Sequence, residues 1–200
     1  MDIHVTPTTI DGVLLLEPDC FRDERGFFME TYHRARLLEH GLDLTFVQDN
    51  HSRSHHGVLR GFHYQDATAP QFRLVRCTVG EIFDVIVDLR VGSDTFGQYR
   101  GFHLSAENRK QLLIPAHFAH GFLVLSEIAE VQYKCTGHHC PAAERSLAWN
   151  DPDIGVQWPL PTPALSKKDS QAPSLKDYLK APAFYAVRES ALASPVSQRA

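Results

Sequence analysis

From Thr45 onward the chain is cut into segments of strand length by turn-forming residues, and this punctuation constrains the fold more than any other feature. Strand-like runs fall at 58–65, 72–79, 81–89, 98–104, 111–114, 121–125 and 128–136. Between them, Gly80-Glu81, Gly92-Ser93-Asp94 and Ser105-Ala106-Glu107-Asn108 supply residues that favour tight turns. Many short strands joined by close-set turns predict an all-β sandwich or barrel rather than an alternating α/β fold. Residues 13–16 and 27–32 add two more short runs. Residues 32–40 read as a helix stopped by Gly41, and residues 174–179 as a helical turn. Beyond Asn150 the strand signal fades into Asp151-Pro152-Asp153 and a proline-rich stretch. Residues 1–180 are expected to form one domain. Residues 181–200, rich in Ala, Ser and Val, are expected to be a loosely held or disordered tail.

Composition narrows the function classes. Two hundred residues suffice for one domain with a sizeable core, and a formal charge of −4 argues against a nucleic-acid partner, which needs clustered cations. No apolar run approaches the ~20 residues of a membrane helix. The N-terminus lacks the basic and apolar regions of a signal peptide. Four irregularly spaced cysteines, Cys20, Cys77, Cys135 and Cys140, suit a reduced, cytoplasmic protein.

The chemistry-bearing residues centre on Gly57-Val58-Leu59-Arg60-Gly61-Phe62-His63-Tyr64-Gln65. Strand alternation puts His63 on the face of Leu59 and Gly61, and Arg60 on the opposite one. Tyr133 shares a face with Ala129, Val131 and Cys135, and Arg73 one with Val75 and Cys77. Asp169 is a carboxylate able to orient an imidazole, although taken alone it reads as a solvated loop acid. Within 82–89, Phe83, Val85, Val87 and Leu89 form one packed face. Asp84 and Asp88 lie with Ile82 and Ile86 on the other, read as a wet cavity or a salt-bridged surface. A histidine base, a tyrosine acid and an arginine suit proton abstraction beside a carbonyl: the cation stabilises the enolate and the acid returns a proton from the other face. Two proton carriers on opposite sides of one carbon invert it.

Metal binding is the rival reading. Cys135-Thr136-Gly137-His138-His139-Cys140 packs four potential ligands into six residues, but no second pair is spaced as in a zinc ribbon. A His-x-His pair is also missing, because Gln65 follows His63-Tyr64. His51, His55 and His56 read as solvated loop residues. His117 and His120 read as residues able to line a pocket mouth.

The motifs Asp23-Glu24-Arg25-Gly26-Phe27-Phe28, Phe46-Val47-Gln48-Asp49-Asn50-His51-Ser52-Arg53-Ser54, the His63 run, Phe118-Ala119-His120-Gly121-Phe122 and Leu165-Ser166-Lys167-Lys168-Asp169 together resemble the dTDP-4-dehydrorhamnose 3,5-epimerase family. The resemblance runs from about residue 11 to 173. It implies a cupin-type antiparallel jelly-roll barrel with short flanking helices, a homodimer, and no metal or organic cofactor. The implied reaction is inversion of C3 and C5 of dTDP-4-dehydro-6-deoxy-D-glucose, with His63 as base, Asp169 as its partner and Tyr133 as acid. Arg25, Glu30, Gln48, Asp49, Asn50, Arg60, His120, Glu144 and Lys168 match substrate-contacting positions. One departure stands out: the chain has Gln71-Phe72-Arg73-Leu74-Val75 where the family has lysine at the third place. Arginine stabilises an enolate but does not give up its proton. Alternatives are therefore a mono-epimerase of another dTDP-4-keto-6-deoxy sugar, a metal-dependent cupin enzyme, or a non-catalytic binder of sugar nucleotides.

Overall fold

The computed structural model describes residues 1–186. In chain order the first elements are β1 (Ile3–Pro7), β2 (Leu14–Pro18), β3 (Cys20–Asp23), β4 (Gly26–Met29), α1 (Arg34–Glu39), β5 (Gln48–His55) and β6 (Leu59–Gln65). Then come β7 (Arg73–Val79), β8 (Glu81–Asp88), β9 (Arg90–Val91), β10 (Tyr99–Ser105), β11 (Gln111–Ile114), β12 (Phe118–Val124) and β13 (Ile128–Cys135). The last are β14 (Glu144–Ser146), α2 (Lys167–Ser170), α3 (Leu175–Tyr178) and β15 (Phe184–Tyr185). Two antiparallel sheets, ordered β1-β2-β11-β7-β13-β5 and β10-β8-β12-β6-β14, face each other as a jelly-roll barrel. The expected all-β class is the observed one.

Three apolar layers hold the sheets. Val75, Cys77, Leu112, Ala129 and Val131 of one sheet meet Ile82, Ile86, Leu104, Phe122 and Val124 of the other to form the barrel interior. Outside the six-stranded sheet, Leu37 of α1 together with Leu42, Leu44 and Phe46 covers Leu16, Leu74 and Leu113. Outside the five-stranded sheet, Leu147, Ile154, Trp158, Leu175 and Tyr178 cover Phe62, Val85 and Val87. With both faces covered, β12 is buried along its whole length. The reading of β8 is corrected for the same reason. Its aspartates lie in neither an open wet cavity nor a surface: Asp84 and Asp88 are both fully buried, Asp88 held by Arg90 and Thr95.

Strand β5 was not foreseen, and His51 and His55 belong to it rather than to a solvated loop. Every residue from Gln48 to His55 is polar, so no hydrophobic alternation marks the strand. Its alternation is of another kind: Gln48, Asn50 and Ser52 turn inward, while Asp49, His51 and Arg53 turn outward. A strand that lines a wet pocket with one face and meets solvent with the other carries no apolar period.

The tail expectation changes at its near end. Phe184–Tyr185 pairs in parallel with Arg90–Val91, and the Tyr178 hydroxyl accepts the Phe184 N–H at 3.0 Å while donating to the Leu89 carbonyl at 2.7 Å. Residues 187–200 lie outside the described residues.

Candidate active site

The pairing of β6 with β12 shifts register: His63 opposes His120, but Arg60 opposes Phe122, so three steps on one strand face two on the other. This bulge falls at Gly61-Phe62. Gly61 has a φ of 130°, and a Cβ on it would lie 2.5 Å from Gly121 Cα. No side chain fits there. A bulge re-aims every residue beyond it, so Arg60 and His63, read from strict alternation as facing opposite ways, line the same cavity. Phe62 is turned outward into the layer beneath Trp158.

That cavity, about 350 Å³, lies between the two sheets. The five-stranded sheet contributes Arg60, His63, Gln65 and His120, and the six-stranded sheet contributes Asn50, Arg73, Tyr133 and Cys135. His63 Nε2 lies 2.6 Å from Asp169 Oδ1. Asp169 is only 3% exposed, against its reading as a solvated loop acid. Its place in α2 is set by Ser166, the N-cap, whose Oγ accepts the Asp169 N–H at 3.0 Å. Burial opposes ionisation of Asp169, but hydrogen bonds from His63, Ser166 and the Gly61 N–H outweigh it and hold the carboxyl below the ordinary aspartate range. With Nε2–H donated to this carboxylate, His63 Nδ1 carries the lone pair.

Across the cavity, Tyr133 and Arg73 come from neighbouring strands, with Cys135 opposite Arg73 and Val75 opposite Tyr133. Arg73 Nη1 donates to the His63 carbonyl at 3.2 Å, tying the guanidinium to the strand that carries the histidine. Burial raises the Tyr133 pKa, with Arg73 and Arg60 pulling the other way, so the phenol keeps its proton at neutral pH. Beside His63, His120 Nε2 lies 2.8 Å from the Asp84 carboxylate, making a second imidazole–carboxylate pair on the same wall. The rim is polar. Gln48 donates to Asn50 and accepts the His139 N–H, while Lys168 reaches Glu144 at 2.6 Å and holds its pKa low.

Three residues matched by resemblance lie elsewhere. Asp49 points out of β5, 70% exposed and ion-paired with Lys134. Arg25 sits at the exposed β3–β4 turn, paired with Asp23, and neither it nor Glu30 reaches this cavity. His117 is not at the pocket mouth either. It lies by Phe118 and Phe184, and burial with nearby Arg90 pushes its pKa down to about 4. Cavity residues that the sequence reading did not assign to the site are Ser52, Gln65, Gln71, Phe122, Cys135 and His139, of which Cys135 and His139 were weighed only as zinc ligands. Gln65 was within reach of strand alternation, two places after His63; the others depend on which strands face each other. Among the described residues, no group of three or more His, Cys, Asp or Glu side chains is placed to hold a metal ion.

The family described as dTDP-4-dehydrorhamnose 3,5-epimerase matches residues 7–177. The chain belongs to the dTDP-4-dehydrorhamnose 3,5-epimerase family. It is 54% identical to the dTDP-4-dehydrorhamnose 3,5-epimerase of Salmonella typhimurium over 88% of this chain and 97% of that protein. It is 55% identical to that of Pseudomonas aeruginosa, again over 88% of this chain and 97% of that protein. The crystal structure of dTDP-6-deoxy-D-glucose-3,5-epimerase from Legionella pneumophila, in complex with dTDP-4-keto-L-rhamnose, superposes with a TM-score of 0.87 at 44% identity, over 92% of this chain and all of that one. As an isomerase of this family, the chain shares its barrel fold with the Legionella enzyme.

Proposed function

We propose that the protein inverts C3 and C5 of dTDP-4-dehydro-6-deoxy-D-glucose to give dTDP-4-dehydro-L-rhamnose. The observation that carries this reading is the placement of a base and an acid on opposing sheets of one cavity: His63 with Asp169 on one wall, Tyr133 with Arg73 on the other. A sugar held between them has its C4 ketone acidifying both neighbouring C–H bonds. His63 Nδ1 takes the proton from one face, and the imidazolium formed is stabilised by Asp169. Arg73 faces the developing enolate oxygen as a fixed charge that needs no proton transfer. Tyr133 then gives its proton from the other face, leaving the carbon inverted. His63 must lose a proton to solvent and Tyr133 regain one before the second carbon reacts. Each inversion thus carries in one solvent hydrogen.

His120 with Asp84, Arg60, Gln48 and Asn50 fit the polar contacts of the sugar nucleotide, and Glu144 with Lys168 its rim. Arg25 and Glu30 fit a second copy's site. The β3–β4 hairpin that carries Arg25 displays Phe21, Phe27 and Phe28 at 56%, 58% and 63% exposure, a patch suited to a homodimer contact. Light scattering should then give twice the chain mass. Four unpaired cysteines fit a cytoplasmic setting.

The mono-epimerase alternative is not favoured. Identity to a dTDP-4-dehydrorhamnose 3-epimerase of Streptomyces niveus is 37%, well below that to the 3,5-epimerases. The metal-dependent cupin alternative lacks a ligand set, since among the described residues no three His, Cys, Asp or Glu side chains are grouped to hold an ion. The test is turnover of the 4-keto sugar in deuterium oxide. Deuterium at both C3 and C5 of the product is expected, and label at one carbon, or none, would refute the reading.

A further inference from the structure

Of the three glutamines that line the His63 cavity, Gln65 and Gln71 have side-chain oxygens in opposite states. Gln65 Oε1 accepts the Cys140 N–H at 2.9 Å and so holds the loop after β13. Gln71 Oε1 is buried with no hydrogen-bond partner, although the side chain is only 7% exposed. The backbone around it leaves little freedom. The Phe72 N–H donates to Thr136 Oγ1 at 2.9 Å, the Thr136 N–H returns to the Phe72 carbonyl at 3.1 Å, and Gly137 lies against Gln71 Cβ. Arg73, two residues on, makes no hydrogen bond to it; its Nη1 donates to the His63 carbonyl instead.

A buried acceptor without a donor is unfavourable for the folded protein unless water or a ligand supplies the donor, and in a lining residue of the site the ligand is the donor that can displace water. On the epimerase reading, the ligand offers few donors. Its ketone and diphosphate oxygens only accept; of its donors, the thymine N3–H and the deoxyribose hydroxyl belong to the nucleoside end, so beside the reacting ring at Arg73 and His63 the donors are the hydroxyls of the hexose. We infer that Gln71 is a specificity-determining contact of this site, its Oε1 accepting a hydrogen bond from a ring hydroxyl at C2 or C3. The inference rests on the epimerase reading and adds a substrate contact on the wall next to Arg73.

The experiment compares wild type with Gln71→Leu on the parent sugar nucleotide and on its 2-deoxy and 3-deoxy analogues, following deuterium entry at C5. Wild type should discriminate against one analogue by about 10- to 100-fold in kcat/KM, and Gln71→Leu should lose that discrimination while slowing the parent by a similar factor. The variant should also melt no lower than wild type, since it removes an unpaired buried acceptor; a merely structural glutamine would show the reverse pattern, lower melting with discrimination intact. Gln71→Met carries the same comparison if the leucine variant does not fold. Equal treatment of both analogues by wild type, or discrimination that survives in the variant, would overturn the contact. Absence of any exchange by wild type on the parent would instead bring down the epimerase reading beneath it.

Discussion

Replacing Asp169 by asparagine exchanges one carboxylate oxygen for an NH2 group at a site the structure holds closely. The side chain is nearly fully buried, bonded to His63 at 2.6 Å and fixed at the start of α2 by the Ser166 cap. Asparagine is close in size, so packing and the cap survive. What changes is the proton. A carboxylate accepts Nε2–H and leaves the Nδ1 lone pair toward the cavity; an amide can instead donate its own N–H to Nε2. The imidazole then carries its proton on Nδ1, where it cannot act as base. The variant also loses the negative charge that stabilises the imidazolium. General-base catalysis by a positioned group is worth about 10²–10⁴-fold, and loss of the tautomer together with the charge places the expected drop in kcat at the upper end, about 10³- to 10⁴-fold. KM should change little, because Asp169 does not line the cavity. The assay is kcat and KM on the 4-keto sugar, with deuterium exchange at C3 and C5 reporting the proton-abstraction step alone. An Asp169→Asn enzyme that keeps exchange within about threefold of wild type would show that His63 does not need its carboxylate, and the base assignment would have to move, His120 with Asp84 being the next pair to test.

Tyr133→Phe should separate abstraction from return: deuterium still enters the substrate through His63, but inverted product falls by at least about 10²-fold, and equal loss of both would contradict an acid role. Gly61→Ala should be damaging out of proportion to its size, since its φ of 130° disfavours a side chain and the added Cβ meets the β12 backbone. A loss of about 2 kcal/mol or more in denaturant unfolding is expected, with activity lost as Arg60 and His63 fall out of register; an active, stable variant would refute the bulge argument. His117 sets an acid limit on stability. Because it titrates near 4 when folded and near 6.5 when unfolded, the unfolded chain binds the proton first as pH falls, so stability declines between those values and the loss levels off below the lower one. The full difference is worth ~3 kcal/mol, or about 2 after allowance for solvent screening. His117→Gln should remove this slope from a series of unfolding midpoints, and an unchanged slope would mean the residue is not the source.

The all-β class, the main apolar strands, the helix ending at Gly41 and the turn near Ser174 were legible in the sequence, because glycine turns and apolar alternation act over a few residues. So was His63, whose strand and flanking glycines are local features. Strand β5 was not, since its inward residues face a polar cavity rather than an apolar core. Asp169 looks like any loop acid until the chain returns 106 residues later to set it against His63. The direction of Arg60 was misjudged because alternation assumes an unbroken ladder, and only the close approach of Gly61 to Gly121 across two strands reveals the bulge. Gln71 could not be singled out at all: being an acceptor without a donor is a property of its neighbours. Local sequence thus determined which segments become strands and which side chains carry reactive groups. The tertiary structure alone decided which of those groups meet across the barrel, because that depends on sheet order and register between residues far apart in the chain.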